Sequence, residues 1–400
     1  MTAPKLRFDG FDSDWTLDSI GAVISNKSKK YDPEKSEIDF PCIELEHLSQ
    51  QTGEILGTVS AKDQKSIKNV FDENSVLFGK LRPYLRKFAK PKFQGVCSSE
   101  IWVLTSKKMQ PNFLFQYVQT DGFSELTQIQ AGSKMPRADW GSISNGEILF
   151  PIFEEQTKIA SFLSAVDEKI NQLTQKHQLL SQYKQGMMQK LFSQQIRFKA
   201  HDGSEFGGWE EKKLGSVCQR NYQGINTVAD KVEYQQHGYP ILQAKHMTSE
   251  KLDFEDVRYL SDSDYEKYKD KYIPQLNDIL FSNIGTIGKV VLVDESKSFF
   301  IAWNIFLMSI KLRVANPSYI TAYLRWLTSL NYFDNLQTGN ATKFINKTDL
   351  LDTKVNLPCL EEQSKIANFL SAIDQKINVV SGQIEQAKLW KKGLLQQMFV

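Results

Sequence analysis

The densest chemistry in the chain is a basic run at residues 79–92, GKLRPYLRKFAKPK. Lys80, Arg82, Arg86, Lys87, Lys90 and Lys92 follow one another with no acid between them, and Tyr84, Phe88 and Phe93 are interleaved. Ammonium and guanidinium groups clustered in this way can neutralise phosphates, and a guanidinium can also grip a guanine edge through two hydrogen bonds. The plainer reading of such a run is a solvated basic face. Lys134 and Arg137 add a second basic site, and the corresponding places later in the chain are milder: Asn283 and Lys289, then Lys343. Gln243 and Asn304 are of the type that suits adenine edges. Lys245 and the equivalently placed His47 and His246 complete the candidate polar contacts to a nucleic acid. No catalytic and no metal-ligating residue joins them.

Signals for catalysis are weak throughout. Asn316-Pro317-Ser318-Tyr319 loosely resembles the Asn-Pro-Pro-aromatic loop of amino methyltransferases, but no glycine-rich cofactor turn precedes it, and a helix started by proline explains it better. Gly285 to Lys289 is too short for a phosphate loop and reads as a tight connection between strands. Asp352-Thr353-Lys354 could imitate the end of a nuclease motif, yet no suitable upstream acid is evident. Neither histidine has the acid, serine or cysteine neighbours that acid–base or nucleophilic work requires.

The elements that must position these residues are set by a duplication. Residues 150–192 and 357–399 align without a gap at an offset of 207 (357 − 150), with 19 identities in 43 positions, which marks a repeat rather than two chance helices. In the first copy apolar residues fall at Ile159, Leu163, Val166, Ile170, Leu173, Leu180, Met187 and Leu191, with His177 and Lys184 at two skipped places. The second copy runs Ile366, Leu370, Ile373, Ile377, Val380, Ile384, Ala387, Leu394 and Met398. This spacing predicts a heptad seam on a helix of about 40 residues, roughly 60 Å long at ~1.5 Å per residue. Each copy has one apolar stripe, so the natural partner for one is the other. The expected packing residues are Leu163, Val166, Ile170 and Leu173 against Leu370, Ile373, Ile377 and Val380.

The regions before each helix repeat as well. Trp15, Ile20 and Gly21 match Trp209, Leu214 and Gly215; PCIELEHL (41–48) matches PILQAKHM (240–247); EIWVLTS (100–106) matches NIFLMSI (304–310); and Gly132 matches Gly339. Residues 193–208 read as a polar linker. The expected domains are 1–150, a helix at 151–195, a second variable region at 196–357 and a helix at 358–400.

Composition narrows the setting without deciding it. A net charge of +2 neither requires nor excludes a nucleic-acid partner. Cys42, Cys97, Cys218 and Cys359 are widely separated, as in a reducing compartment, and no signal peptide or membrane span is legible, so a cytoplasmic protein with no membrane partner is expected.

With two blocks PIFEEQTKIASFLSAVDEKI and PCLEEQSKIANFLSAIDQKI, each following a variable region that opens near FDSDW or FGGWEEKKLG, the chain resembles over its full length the DNA-specificity subunit of type I restriction–modification systems. The one departure is that the proline pair often seen before the acid–acid–glutamine run is reduced to Pro151 and Pro358. The resemblance implies an α+β fold: two tandem α/β target-recognition domains separated by two long helices packed as a pseudo-twofold antiparallel coiled coil. It implies that each domain reads half of a bipartite site in double-stranded DNA, with the helices setting the gap. It implies two methyltransferase subunits as partners, using S-adenosylmethionine on adenine, and two restriction subunits, with ATP and Mg, as a further implied pair; no cofactor is expected on this chain. A self-contained modification enzyme and an adaptor with no DNA role are the alternatives.

Overall fold

The computed structural model describes residues 4–128, 135–248, 250–294, 297–338 and 343–399. The chain forms two compact units. Unit 1 comprises residues 1–175 and 380–400, and unit 2 residues 176–379. Two long helices, the central helix Phe153–Phe192 and the C-terminal helix Leu360–Met398, are each divided between them.

In unit 1 a four-stranded sheet orders Ile24–Ser25, Ile101–Ser106, Val76–Gly79 and Phe88–Ala89. A five-stranded sheet orders Lys30–Tyr31, Lys68–Phe71, Gly95–Cys97, Pro41–Ile43 and Val59–Ser60. The alternating segment 41–48 contributes only the short strand Pro41–Ile43, because the chain turns into a 3-10 helix at Leu45–His47. Thr16–Ser19 pairs with Glu147–Phe150, which brings the start of the domain to the entry of the central helix.

Unit 2 repeats the plan. Cys218–Gln223, Ile305–Ile310, Ile279–Ser282 and Val290–Leu292 form its four-stranded sheet, and Glu210–Lys213 pairs with Lys354–Leu357. A three-stranded sheet of Arg258–Leu260, Tyr239–Leu242 and Phe300–Ile301 replaces the five-stranded one. Asn316 caps the helix Pro317–Ser329 by accepting from the Ser318 and Tyr319 amides, the helix-start role expected of this Asn-Pro pair. Gly21 and Gly215 permit close packing of a short helix on its neighbour: a Cβ at these positions would lie 2.9 Å from Ser144 and 3.1 Å from Leu351.

The helix halves join the cores. In unit 1, Ile159, Leu163 and Val166 of the central helix share a cluster with Leu394, Leu395, Met398 and Phe399. In unit 2, Met188, Leu191 and Phe192 share one with Ile366, Ala367 and Leu370. Antiparallel pairing is thus built into both units. Leu173, Ile373 and Val380 are buried, while Ile170 and Ile377 are half-buried. Near the end of the central helix Met188 is buried rather than Met187, because Leu191 and Phe192 turn the buried face toward Tyr319 and Tyr323.

The seam has a polar interruption in each unit. Lys391 reaches Asp167 at 2.5 Å, and Lys184, one repeat earlier, binds Asp374 and Glu250. Burial pulls the Lys391 ammonium below its ordinary pKa, with Asp167 opposing the shift. Burial likewise pushes Asp374 up. A Lys391→Met substitution should destabilise unit 1 by about 1–3 kcal/mol, since it strands a partly buried carboxylate. Adding Asp167→Leu should recover most of that loss. Denaturant unfolding of the two variants measures this; a double variant no more stable than the single one would contradict it.

Candidate nucleic-acid interface

The candidate residues gather at one end of the four-stranded sheet in each unit, where four pieces of backbone are tied together. In unit 1 a turn at 98–101 joins the two sheets, closed by the Ile101 amide on the Ser98 carbonyl at 3.0 Å. The Lys80 amide donates to the Glu100 carbonyl at 2.9 Å, and residues 81–82 bridge to 136–137 through the Arg82 amide and Pro136 carbonyl at 2.8 Å. In unit 2 the turn is 302–305, closed at 2.9 Å, and the Gly285 amide donates to the Lys343 carbonyl at 3.1 Å. Arg82 and Gly285 therefore occupy equivalent places, and both have positive φ, 52° and 78°. A left-handed conformation costs a non-glycine residue roughly 1–2 kcal/mol. Arg82 bears it with an exposed side chain that makes no ion pair among the described residues.

Several of the residues expected to contact DNA are engaged within the fold. Arg86 donates to Asp121 at 2.7 Å and to the Gln119 carbonyl, and it holds the Asp121 carboxyl below the usual range. Lys87 donates to the Leu45 carbonyl at 2.7 Å, and Lys289 to the equivalent Ala244 carbonyl at 3.4 Å, so both lysines tie down a 3-10 turn. His47 Nδ1 accepts from the Glu44 amide at 3.0 Å and His246 Nδ1 from the Gln243 amide at 2.9 Å. Both histidines are turn caps, and burial holds His246 below its ordinary pKa. Asn283 is buried and exchanges amide hydrogen bonds with Gln223, leaving no free edge for a base. The sequence shows residue types but not which of them the backbone has already engaged.

The remaining candidates stay near solvent. Arg82, Lys245 and Lys343 are exposed, and Lys80, Gln243 and Asn304 are half-buried. Asn304 accepts from the Ala244 amide at 3.1 Å, Lys245 reaches the Asp256 carbonyl at 3.5 Å, and Arg137 pairs with Glu100 at 3.0 Å. Lys134, with the matched Gly132 and Gly339, lies outside the described residues.

A second site is replicated at the foot of each unit. The Arg7 guanidinium grips Glu155 with two hydrogen bonds, 2.7 and 2.8 Å, and the Trp15 indole N–H donates to the same carboxylate at 3.4 Å. Arg197 grips Glu362 at 3.1 and 2.7 Å, with Trp209 donating at 3.2 Å. Both glutamates are fully buried. The next residue bolts on the domain's helix: Gln156 accepts from the Gln110 amide and Gln363 from the Asn316 amide, each at 2.8 Å. The Glu-Glu-Gln run is thus an anchor for the domain. Residues 193–208 are not a free linker, since Arg197 and Phe198 dock as Arg7 and Phe8 do, Phe8 on Phe162 and Phe198 on Phe369. The legible signal was the repeated Arg-Phe pair at 7–8 and 197–198. The Leu6 amide also donates to the Gln397 carbonyl as Ile196 does to Lys190, so the start of the chain continues from the end of the C-terminal helix in the way residue 196 continues from the central one.

The family model of the type I restriction modification DNA specificity domain matches twice, at residues 13–181 and 207–389. The chain belongs to this specificity family. A type I restriction enzyme MjaVIII specificity subunit from Methanocaldococcus jannaschii is 26% identical over 313 residues, covering 76% of this chain and 73% of the relative. The EcoDI specificity subunit of Escherichia coli is 25% identical over 150 residues, 34% of each chain. A solved type I restriction–modification S subunit from M. genitalium shares the fold at a TM-score of 0.60 with 14% identity, covering 100% of this chain and 99% of that one. A structure described as the basis of type I R-M complex assembly and conformational transition shares it at 0.58 with 18% identity, covering 96% and 97%. Two specificity domains in one chain of this family fit recognition of a bipartite target. Among the described residues no helix is long and apolar enough to cross a membrane.

Proposed function

We propose that this chain is the non-catalytic DNA-reading subunit of a cytoplasmic type I restriction–modification complex, and that each unit reads one half of an asymmetric bipartite site in double-stranded DNA. The observation that carries the reading is the same anchored loop cluster, present in both units, with different exposed residues at equivalent places: Arg82 in one, Gly285 beside Lys343 in the other. Equivalent scaffolds with unlike tips suit two different half-sites. Arg82, Lys80 and Lys343 are proposed to hold phosphates or base edges. In this reading two methyltransferase subunits supply S-adenosylmethionine-dependent adenine methylation, and restriction subunits with ATP and Mg supply cleavage.

Methylome sequencing of a host carrying the chain with its methyltransferase subunit should return a two-part asymmetric motif with a fixed gap. Absence of any new methylated motif would refute the proposal. Seven-residue insertions at matched points near residues 175 and 382 keep the seam in phase and lengthen each helix by ~10 Å, so the gap should widen by about three base pairs at ~3.4 Å each. An unchanged gap would show that the helices do not set the spacing.

A further inference from the structure

The turn at 302–305 carries a feature that the polar candidates around it do not account for. Trp303 stands at its corner with 47% of its surface exposed. Tryptophan is enriched at binding interfaces, because its large ring supplies apolar contact area and its N–H a polar handle. Its backbone is fixed from three directions. The Trp303 amide donates to the Ile225 carbonyl at 2.8 Å, its carbonyl accepts from the Gln223 side chain, and the Ala302 amide donates to the Leu242 carbonyl at 2.8 Å. Gly224 permits this crossing, since a Cβ there would lie 2.2 Å from the Ala302 oxygen. The exposed indole thus sits on a rigid support, which keeps the entropy cost of a contact low.

Its surroundings point to the ligand. The Asn283 amide meets the Asn304 carbonyl at 3.4 Å, and the next residue, Ile284, bridges to Phe344, which is 39% exposed and follows exposed Lys343. Exposed Lys245 lies on the 3-10 turn whose Ala244 amide is bound by Asn304. Aromatic surface beside exposed lysines suits double-stranded DNA, whose phosphates take the charges and whose base edges, the thymine methyl among them, take the ring. The equivalent turn of unit 1 has Ser99 and Glu100 in the corner, and Glu100 is spent on Arg137. The two units therefore differ in chemistry at this equivalent corner.

We propose that Trp303 is a specificity-determining residue of unit 2, making an uncharged, apolar contact with base edges of one half-site. This rests on the DNA-reading function proposed above. The test uses the full chain assembled with its methyltransferase subunits and a labelled duplex carrying the motif found by methylome sequencing. Trp303→Ala should weaken cognate binding about five- to a hundredfold, the range for losing the match at one base pair. The slope of log affinity against log salt should stay unchanged, because no phosphate contact is lost. A duplex with the half-site of unit 2 scrambled should bind the variant and the parent equally, and Trp303→Phe should recover part of the loss. Cognate affinity equal to the parent's would overturn the proposal, as would a loss accompanied by a shallower salt slope. Unchanged DNA affinity with weaker subunit assembly would overturn it in favour of a protein contact. A parent complex that prefers no duplex would overturn the DNA-reading function itself.

Discussion

Arg7→Met should destabilise unit 1 by about 3–5 kcal/mol, the cost of leaving a buried charge without its partner. Glu155 is fully buried, and Arg7 supplies two of the three side-chain hydrogen bonds that it receives. Methionine keeps much of the arginine stem's packing but provides no donor. The Trp15 indole, at 3.4 Å, cannot compensate a carboxylate alone. Hydrogen exchange read by mass spectrometry would localise the effect: amides of Thr16–Ser19 and Glu147–Phe150 should lose protection, while Glu210–Lys213 should keep it. Arg197→Met should reverse the pattern. Adding Glu155→Gln to Arg7→Met removes the stranded charge and should restore more than half of the loss. Protection unchanged in Arg7→Met would mean that the replicated pair is not an anchor.

Exchanging residues 210–350 for the variable region of another family member should change one half of the methylated motif and leave the other half and the gap as they were. The graft keeps Trp209, Arg197, Glu362 and Gln363, so the incoming domain finds its anchor intact. It also leaves both long helices untouched. The effect is all-or-none in the new half-site, since each mismatched base pair typically costs ~1–3 kcal/mol and several would change together. Methylome sequencing reads both halves at once. A change in both halves, or in the gap alone, would contradict independent reading by the two units.

The amino-acid sequence by itself determined the duplication, the two long helices and the family, because these rest on local periodicity and on a run of matched residues at a constant offset. It also determined that Glu155 and Glu362 are equivalent, though not what they hold. Only the tertiary structure decided how the long helices are shared. Each unit takes the first half of one and the second half of the other, since an apolar stripe is buried by whichever element lies across it and not by its neighbour in sequence. The same limit governs the candidate site. Arg82 and Arg86 lie four residues apart in one basic run with the same charge. Asp121, 35 positions further on, ties up Arg86 and leaves Arg82 in solvent. His47, His246, Lys87, Lys289 and Asn283 met backbone partners that no pattern in the chain announces. Whether a polar side chain is free to read a ligand depends on which distant donors and acceptors folding has already brought to it.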